Sequence, residues 1–215
     1  SILIRTRCNS PTLRRWRLSA CYRASQSNTP SQATTPEDVR QPEQFEMNFT
    51  SILTHFDPAD DAEAGPQTAT ALALASAFSA HLTALIFPID TALTAPSPAD
   101  DAARLLEDRS ADHLTLAAKR HGVVCEIRKR TSFAYGNGEA FADHLRVSDL
   151  AVLTLHGAPG IGAQILIHAA VFDSGRPVLL APAAQPLTGL PQRILVAWDA
   201  SPASVRAIHG ALPLI

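Results

Sequence analysis

The sequence predicts an α/β domain built on an open, doubly wound parallel sheet of five strands with helices on both faces. After Met47, short apolar runs alternate with segments of helical period, which is the pattern of strands joined by crossover helices. About 140 residues take part, enough to bury roughly two-thirds of the surface of the unfolded chain without staples. The three cysteines, Cys8, Cys21 and Cys125, are far apart and form no C-x-x-C, so neither a disulfide framework nor a zinc site replaces that core.

The first strand is expected over residues 49–56 and ends at Asp57-Pro58. A helix follows from Pro66 to Phe78, with Ala71, Leu74, Ala75 and Phe78 at i, i+3, i+4 and i+7. Residues 81–87 form the second strand. A Pro/Ser/Asp loop then leads to a long helix over 98–121, with Ser97 as its N-cap and Gly122 at its end. Its apolar face is expected to run through Ala102, Leu105, Leu106, Leu114, Ala117 and Ala118. The third strand, 123–130, places Val124, Glu126, Arg128 and Arg130 on one face, the polarity of an edge strand with a solvated side. A short helix over 136–146 and a buried strand over 150–155 come next. A helix over 164–172, capped by Gly175, precedes the fifth strand at 177–181, where Pro177 stands first and its missing N–H does least harm.

Residues 1–46 have a different character. The first 36 hold six arginines and no acidic residue, with many Ser and Thr and no sustained apolar period. An amphipathic transit helix is interrupted at Pro11, and the apolar run of a secretory signal is absent. The expectation is a disordered or mis-called leader ahead of a domain that starts at Met47. The net charge of −2 is far from the concentrated basic surface of a nucleic-acid binder. The longest weakly polar stretch, 69–87, carries Thr70, Ser76, Ser79, His81 and Thr83 and reads as a helix running into a strand, not a membrane span.

After the fifth strand the pattern starts again. Ile52-Leu53-Thr54-His55-Phe56-Asp57 is echoed by Ile194-Leu195-Val196-Ala197-Trp198-Asp199, and both runs lead through a polar turn into an alanine-rich segment. The organisation expected is therefore a leader at 1–46, a first domain at 47–182, a proline-rich linker at 183–191, and at 192–215 the opening strand and helix of a second copy.

The order of elements, with Asp57 closing the first strand, resembles the universal stress protein family. The strongest likeness is Asp149-Leu150-Ala151-Val152-Leu153-Thr154-Leu155-His156-Gly157-Ala158-Pro159-Gly160, which looks like that family's Asp-Leu-x-Val-x-x-x-His-Gly-x-x-Gly stretch. Ser174-Gly175-Arg176-Pro177-Val178-Leu179-Leu180 and the later Arg193-Ile194-Leu195-Val196-Ala197-Trp198-Asp199 look like the joint of tandem two-domain bacterial members. The resemblance implies a Rossmann-like sheet of order 3-2-1-4-5. It also implies a site beyond the carboxyl ends of the strands, involving Asp57, His156, Gly157, Gly160 and Gly162. Similar family members hold ATP there with a G-x-x-G, nine residues, G-S/T cradle, in which bare backbone approaches phosphate at a helix N-terminus.

Gly157 and Gly160 match the first half of that cradle. The second half has no match: counting forward from Gly160 reaches Ala170-Val171, and counting back from Pro177 reaches Gln164-Ile165. Gly157-x-x-Gly160-x-Gly162 also differs from the dinucleotide G-x-G-x-x-G, and no nucleophile elbow, H-E-x-x-H or P-loop lysine is present. His55, His81 and His156 sit in or at strands and read as structural. Asp143 and His144 are adjacent on a helix and point to different faces. The acidic turn of Asp57, Asp60, Asp61 and Glu63 complements a helix dipole, and Cys125, in a strand among apolar neighbours, is expected to be inert. No cofactor is therefore expected, ATP having only an incomplete motif.

The function expected is a non-enzymatic, cytoplasmic stress-response module with at most weak nucleotide binding. It acts through protein association, as a homo-oligomer or an internal pseudo-dimer through the fifth strand, without membrane or nucleic acid. The alternatives are an ATP-binding sensor using Asp57, Gly157 and Gly160, and a nucleotide-handling enzyme on a similar sheet.

Overall fold

The computed structural model describes residues 48–58, 65–88, 98–130, 136–155 and 161–215. The order along the chain is β1 (Ser51–His55), α1 (Pro66–Phe78), β2 (His81–Ile86), α2 (Pro98–Arg120), β3 (Cys125–Lys129), α3 (Asn137–Arg146), β4 (Leu150–Leu155), α4 (Ile161–Phe172), β5 (Val178–Pro182) and α5 (Pro202–Ala211), closed by a 3-10 turn at Leu212–Leu214. The sheet has five parallel strands in the order β3-β2-β1-β4-β5, as expected.

Helices cover both faces, and the two faces have separate cores. On one, Ile52, Phe56, Leu72, Leu74, Phe78, Leu82, Ile86, Leu114 and Val152 are buried together, so α1 and the second half of α2 pack there. On the other, Leu53, Leu85, Phe141, Leu145, Leu153 and Leu166 bring α3 and α4 onto the sheet. Alternate residues of β1 serve the two sides, Ile52 in one core and Leu53 in the other, as the two-residue period of a strand dictates. Gly138 allows the close approach of α3 to α4: a Cβ there would stand 2.8 Å from Ile165 Cγ2 and 3.2 Å from the Ala169 Cβ.

Two expectations are corrected. The apolar face assigned to α2 is not one face, because Leu105 is 59% exposed and Leu106 is also exposed. At about 100° per residue, Leu105 and Leu114 lie on opposite sides of a helix. The buried line is Ser110, Leu114 and Ala118 instead. The second correction is that residues 194–199, although strand-like in sequence, join no ladder of the sheet. A strand needs hydrogen-bonding neighbours, and no described element lies alongside this one.

The chain after β5 returns over α1, where the Leu187 N–H donates to Thr70 Oγ1 at 3.0 Å and Leu187 joins the first core. Helix α5 then begins at Ser201, whose hydroxyl accepts from the Ser204 N–H at 3.1 Å. It packs tightly beside the start of β5: a Cβ on Gly210 would stand 2.8 Å from Pro177 Cγ. Trp198, Val196, Ile208 and Leu212, expected to stay partly exposed, are all exposed or half-buried.

Candidate functional site: the crevice between β1 and β4

The sheet order reverses between β1 and β4. From β1 the chain proceeds outward to β2 and β3, and β4 and β5 lie on the other side. In open parallel sheets a ligand crevice forms at such a point, beyond the carboxyl ends of the two strands. The β1–β4 ladder consists of Ile52–Leu150, Leu53–Ala151 and Thr54–Val152. Beyond the last pair, the groups facing the gap are taken up by one side chain.

That side chain is Gln67, in the first turn of α1. Pro66 opens the helix at its first position, which suits proline because the first N–H has no helical partner. Gln67 is thereby placed over the ends of β1 and β4. Its Nε2 donates to the His55 carbonyl and, at 3.2 Å, to Thr54 Oγ1. Its Oε1 accepts from the Thr154 N–H at 2.7 Å. Thr54 Oγ1 in turn donates to the Val152 carbonyl at 2.9 Å. The carboxamide thus meets both a carbonyl of one strand and an N–H of the other, using its donor and acceptor ends in opposite directions.

Two hydroxyls beside this network, Thr68 Oγ1 and Thr154 Oγ1, are buried without a hydrogen-bond partner. At the β1–β2 side of the crevice, the His55 and Phe87 rings stack with centroids 5.7 Å apart and planes 24° from parallel.

Of the residues expected at the site, Asp57 lies half-buried two positions beyond β1. Gly162 lies in the first turn of α4, and open space surrounds the position of its missing side chain. The fold itself therefore places no demand for glycine there, in contrast to Gly138. His156, Gly157 and Gly160 fall outside the described residues, as do Asp60, Asp61 and Glu63 of the acidic turn. Among the described residues no group of three His, Cys, Asp or Glu side chains could hold a metal ion. No described helix is long and apolar enough to cross a membrane.

At the opposite, amino end of the sheet stands Asp149, the first residue of the family-like stretch. Its Oδ2 accepts four hydrogen bonds: from the Thr50 N–H (2.9 Å) and hydroxyl (2.7 Å), and from the Ser51 N–H (3.0 Å) and hydroxyl (3.1 Å). Burial raises its pKa, but these four donors together outweigh burial and hold the carboxyl below its usual value. Cys125 lies half-buried in β3, where burial and the neighbouring Glu126 carboxylate push its thiol up to about 11. It stays protonated at neutral pH and is a poor nucleophile.

Gln67 and Thr154 were not singled out in the sequence. Their signal was small: a glutamine beside the N1 proline of a mostly apolar helix, and one threonine in an otherwise aliphatic strand.

No family model and no curated protein matches the chain. Among solved structures, it is similar to the universal stress protein UspA from Lactobacillus plantarum, with 22% identity and a TM-score of 0.41 over 62% of this chain and 98% of that one. It is also similar to a universal stress protein solved in complex with cAMP, with 20% identity and a TM-score of 0.41 over 63% and 98% of the two chains.

Proposed function

We propose that this chain is a stress-response module of the universal stress protein type that works by protein association rather than by chemistry on a bound ligand. The sheet order and the stretch beginning at Asp149 support the family reading. The observation that carries the association reading is Gln67: the hydrogen-bonding groups a ligand would meet at the β1–β4 crevice are already bonded to the protein's own carboxamide. An ATP-holding sensor built on Asp57, Gly157 and Gly160 would have to bind beside Gln67 or displace it. Displacement leaves the Thr154 N–H and the His55 carbonyl to be satisfied by the ligand.

The edges of the sheet support association at one side. β3 carries Glu126, Arg128 and Lys129; Arg128 pairs bidentately with Glu126 at 2.9 Å, and Lys129 reaches Asp108 at 3.0 Å. Charges of this kind discourage edge-to-edge pairing. β5 carries Val178, Leu179, Leu180 and Ala181 with no charge. Its edge is the place for a partner, either a second copy or the second domain whose opening residues stand at 192–215. A cytoplasmic setting accords with a protonated Cys125 thiol.

Sedimentation velocity across a concentration series, with and without magnesium and ATP, tests this reading. Reversible association that nucleotide leaves unchanged is expected. A monomer at every concentration, or association appearing only with ATP, overturns it.

A further inference from the structure

Residues 193–199, Arg-Ile-Leu-Val-Ala-Trp-Asp, carry the same Ile-Leu-x-x-aromatic-Asp pattern that forms the central strand β1. Between β2 and β4 that pattern is buried. At 193–199 it lies in the open: Leu195 is 58%, Val196 45% and Trp198 56% exposed. Among the described residues, no backbone hydrogen bond leaves this run for another segment. It combines high strand propensity with a row of unpaired N–H and carbonyl groups, and no Lys or Pro interrupts it.

Its two ends carry opposite charges, Arg193 and Asp199, with five uncharged residues between them. Parallel, in-register pairing with another copy would set Arg193 beside Arg193 and Asp199 beside Asp199. Antiparallel pairing sets each arginine opposite an aspartate, the favourable cross-strand arrangement.

We propose that residues 193–199 of two copies of this chain pair antiparallel about a two-fold axis at Val196. In that register Val196 faces Val196, Leu195 faces Ala197, Ile194 faces Trp198, and Arg193 faces Asp199 twice. The interface is isologous, as a two-fold requires. A slip of one residue loses both charge pairs and turns every side chain to the other face. Asp199 is ready for this role. Its Oδ1 accepts from the Ser201 N–H at 3.0 Å, and bonds from the Ser201 and Ser204 side chains and the Ser201 backbone lower its carboxyl to about 2. It is therefore ionised throughout the neutral range. A two-stranded ribbon of seven residues is marginal by itself, so the dimer is expected to be weak and in rapid exchange.

This pairing rests on the reading that the chain works by association, but it names a surface separate from the β5 edge. The test uses the full chain and three variants, Arg193→Asp, Asp199→Arg and Val196→Pro, in sedimentation equilibrium, with circular dichroism confirming the fold of each. Arg193→Asp and Asp199→Arg each set like charges opposite one another, and each is expected to weaken the dimer roughly tenfold, two pairs being reversed. Mixed in equal amounts, they restore opposite charges at both positions, and a heterodimer as tight as the unsubstituted dimer is expected. Val196→Pro, which removes a ladder donor without changing charge, is expected to weaken it as well. Should Asp199→Arg fail to fold, Arg193→Asp and Val196→Pro decide the matter alone. An unsubstituted chain that dimerises, with variants that dimerise equally well, overturns the pairing and leaves association through another surface standing. A chain that is monomeric throughout overturns both.

Discussion

Asp149 and Ser51 hold each other from both directions. The Asp149 carboxylate accepts from the Ser51 N–H and hydroxyl, at 3.0 and 3.1 Å, while the Asp149 N–H donates to Ser51 Oγ at 3.0 Å and lies 3.0 Å from the Ser51 carbonyl. With the two further bonds from Thr50, this clamp joins the starts of β1 and β4. The strands that flank the crevice are thus fastened at the amino end by Asp149 and bridged at the carboxyl end by Gln67.

Replacing Asp149 with Asn is expected to cost about 1–3 kcal/mol, since one amide oxygen cannot receive four donors as a carboxylate does and the amide nitrogen adds a competing donor. The pH dependence has a definite sign. A carboxyl whose folded pKa lies below its unfolded value of about 3.9 stabilises the protein fully above that value, and loses this contribution as pH falls through the folded pKa. Denaturant melts of both proteins should therefore differ by a constant amount above about pH 5 and converge in acid. A difference that grows in acid would contradict the clamp.

The first core and the α3–α4 contact make opposite demands on two glycines. Gly138→Ala introduces a methyl 2.8 Å from Ile165 Cγ2 and 3.3 Å from the Ile165 carbonyl oxygen; the stiff β-branched side chain cannot swing aside, and a loss of about 1–3 kcal/mol is expected. Gly162→Ala enters open space and is expected to be neutral or to stabilise by up to about 1 kcal/mol through helix propensity. Thermal melts of the pair check this, and equal losses in both would mean that Gly162 too lies at a close approach.

Gln67→Ala removes the donor to His55 and the acceptor for Thr154. A loss of about 1–2 kcal/mol is expected, together with faster amide exchange at Thr154, whose N–H then lacks its acceptor. Unchanged exchange at Thr154 would show that Gln67 does not bridge the strands in solution.

The sheet was legible in the sequence because its signals are collective. Four residues at helical spacing placed α1 at Pro66–Phe78, and the apolar run at Leu150–Leu155 placed β4, both to the residue. Boundaries without a cap signal moved: α4 starts at Ile161, three residues before the expected Gln164, and β5 starts at Val178 after Pro177. Residues 194–199 show the limit of pattern reading, since an apolar alternation states what a strand needs but not whether a neighbour is present. The site was less legible than the fold. A glycine pattern can be counted along the chain, whereas the role of Gln67 depends on where two strands that are far apart in sequence cease to pair.

The central claim is that the crevice at the end of β1 and β4 is occupied by the protein's own Gln67 and that the chain does not depend on a nucleotide held there. Isothermal titration of the full chain with ATP and magnesium tests it most directly. No saturable heat in the micromolar range is predicted; a dissociation constant in the low micromolar range would contradict it.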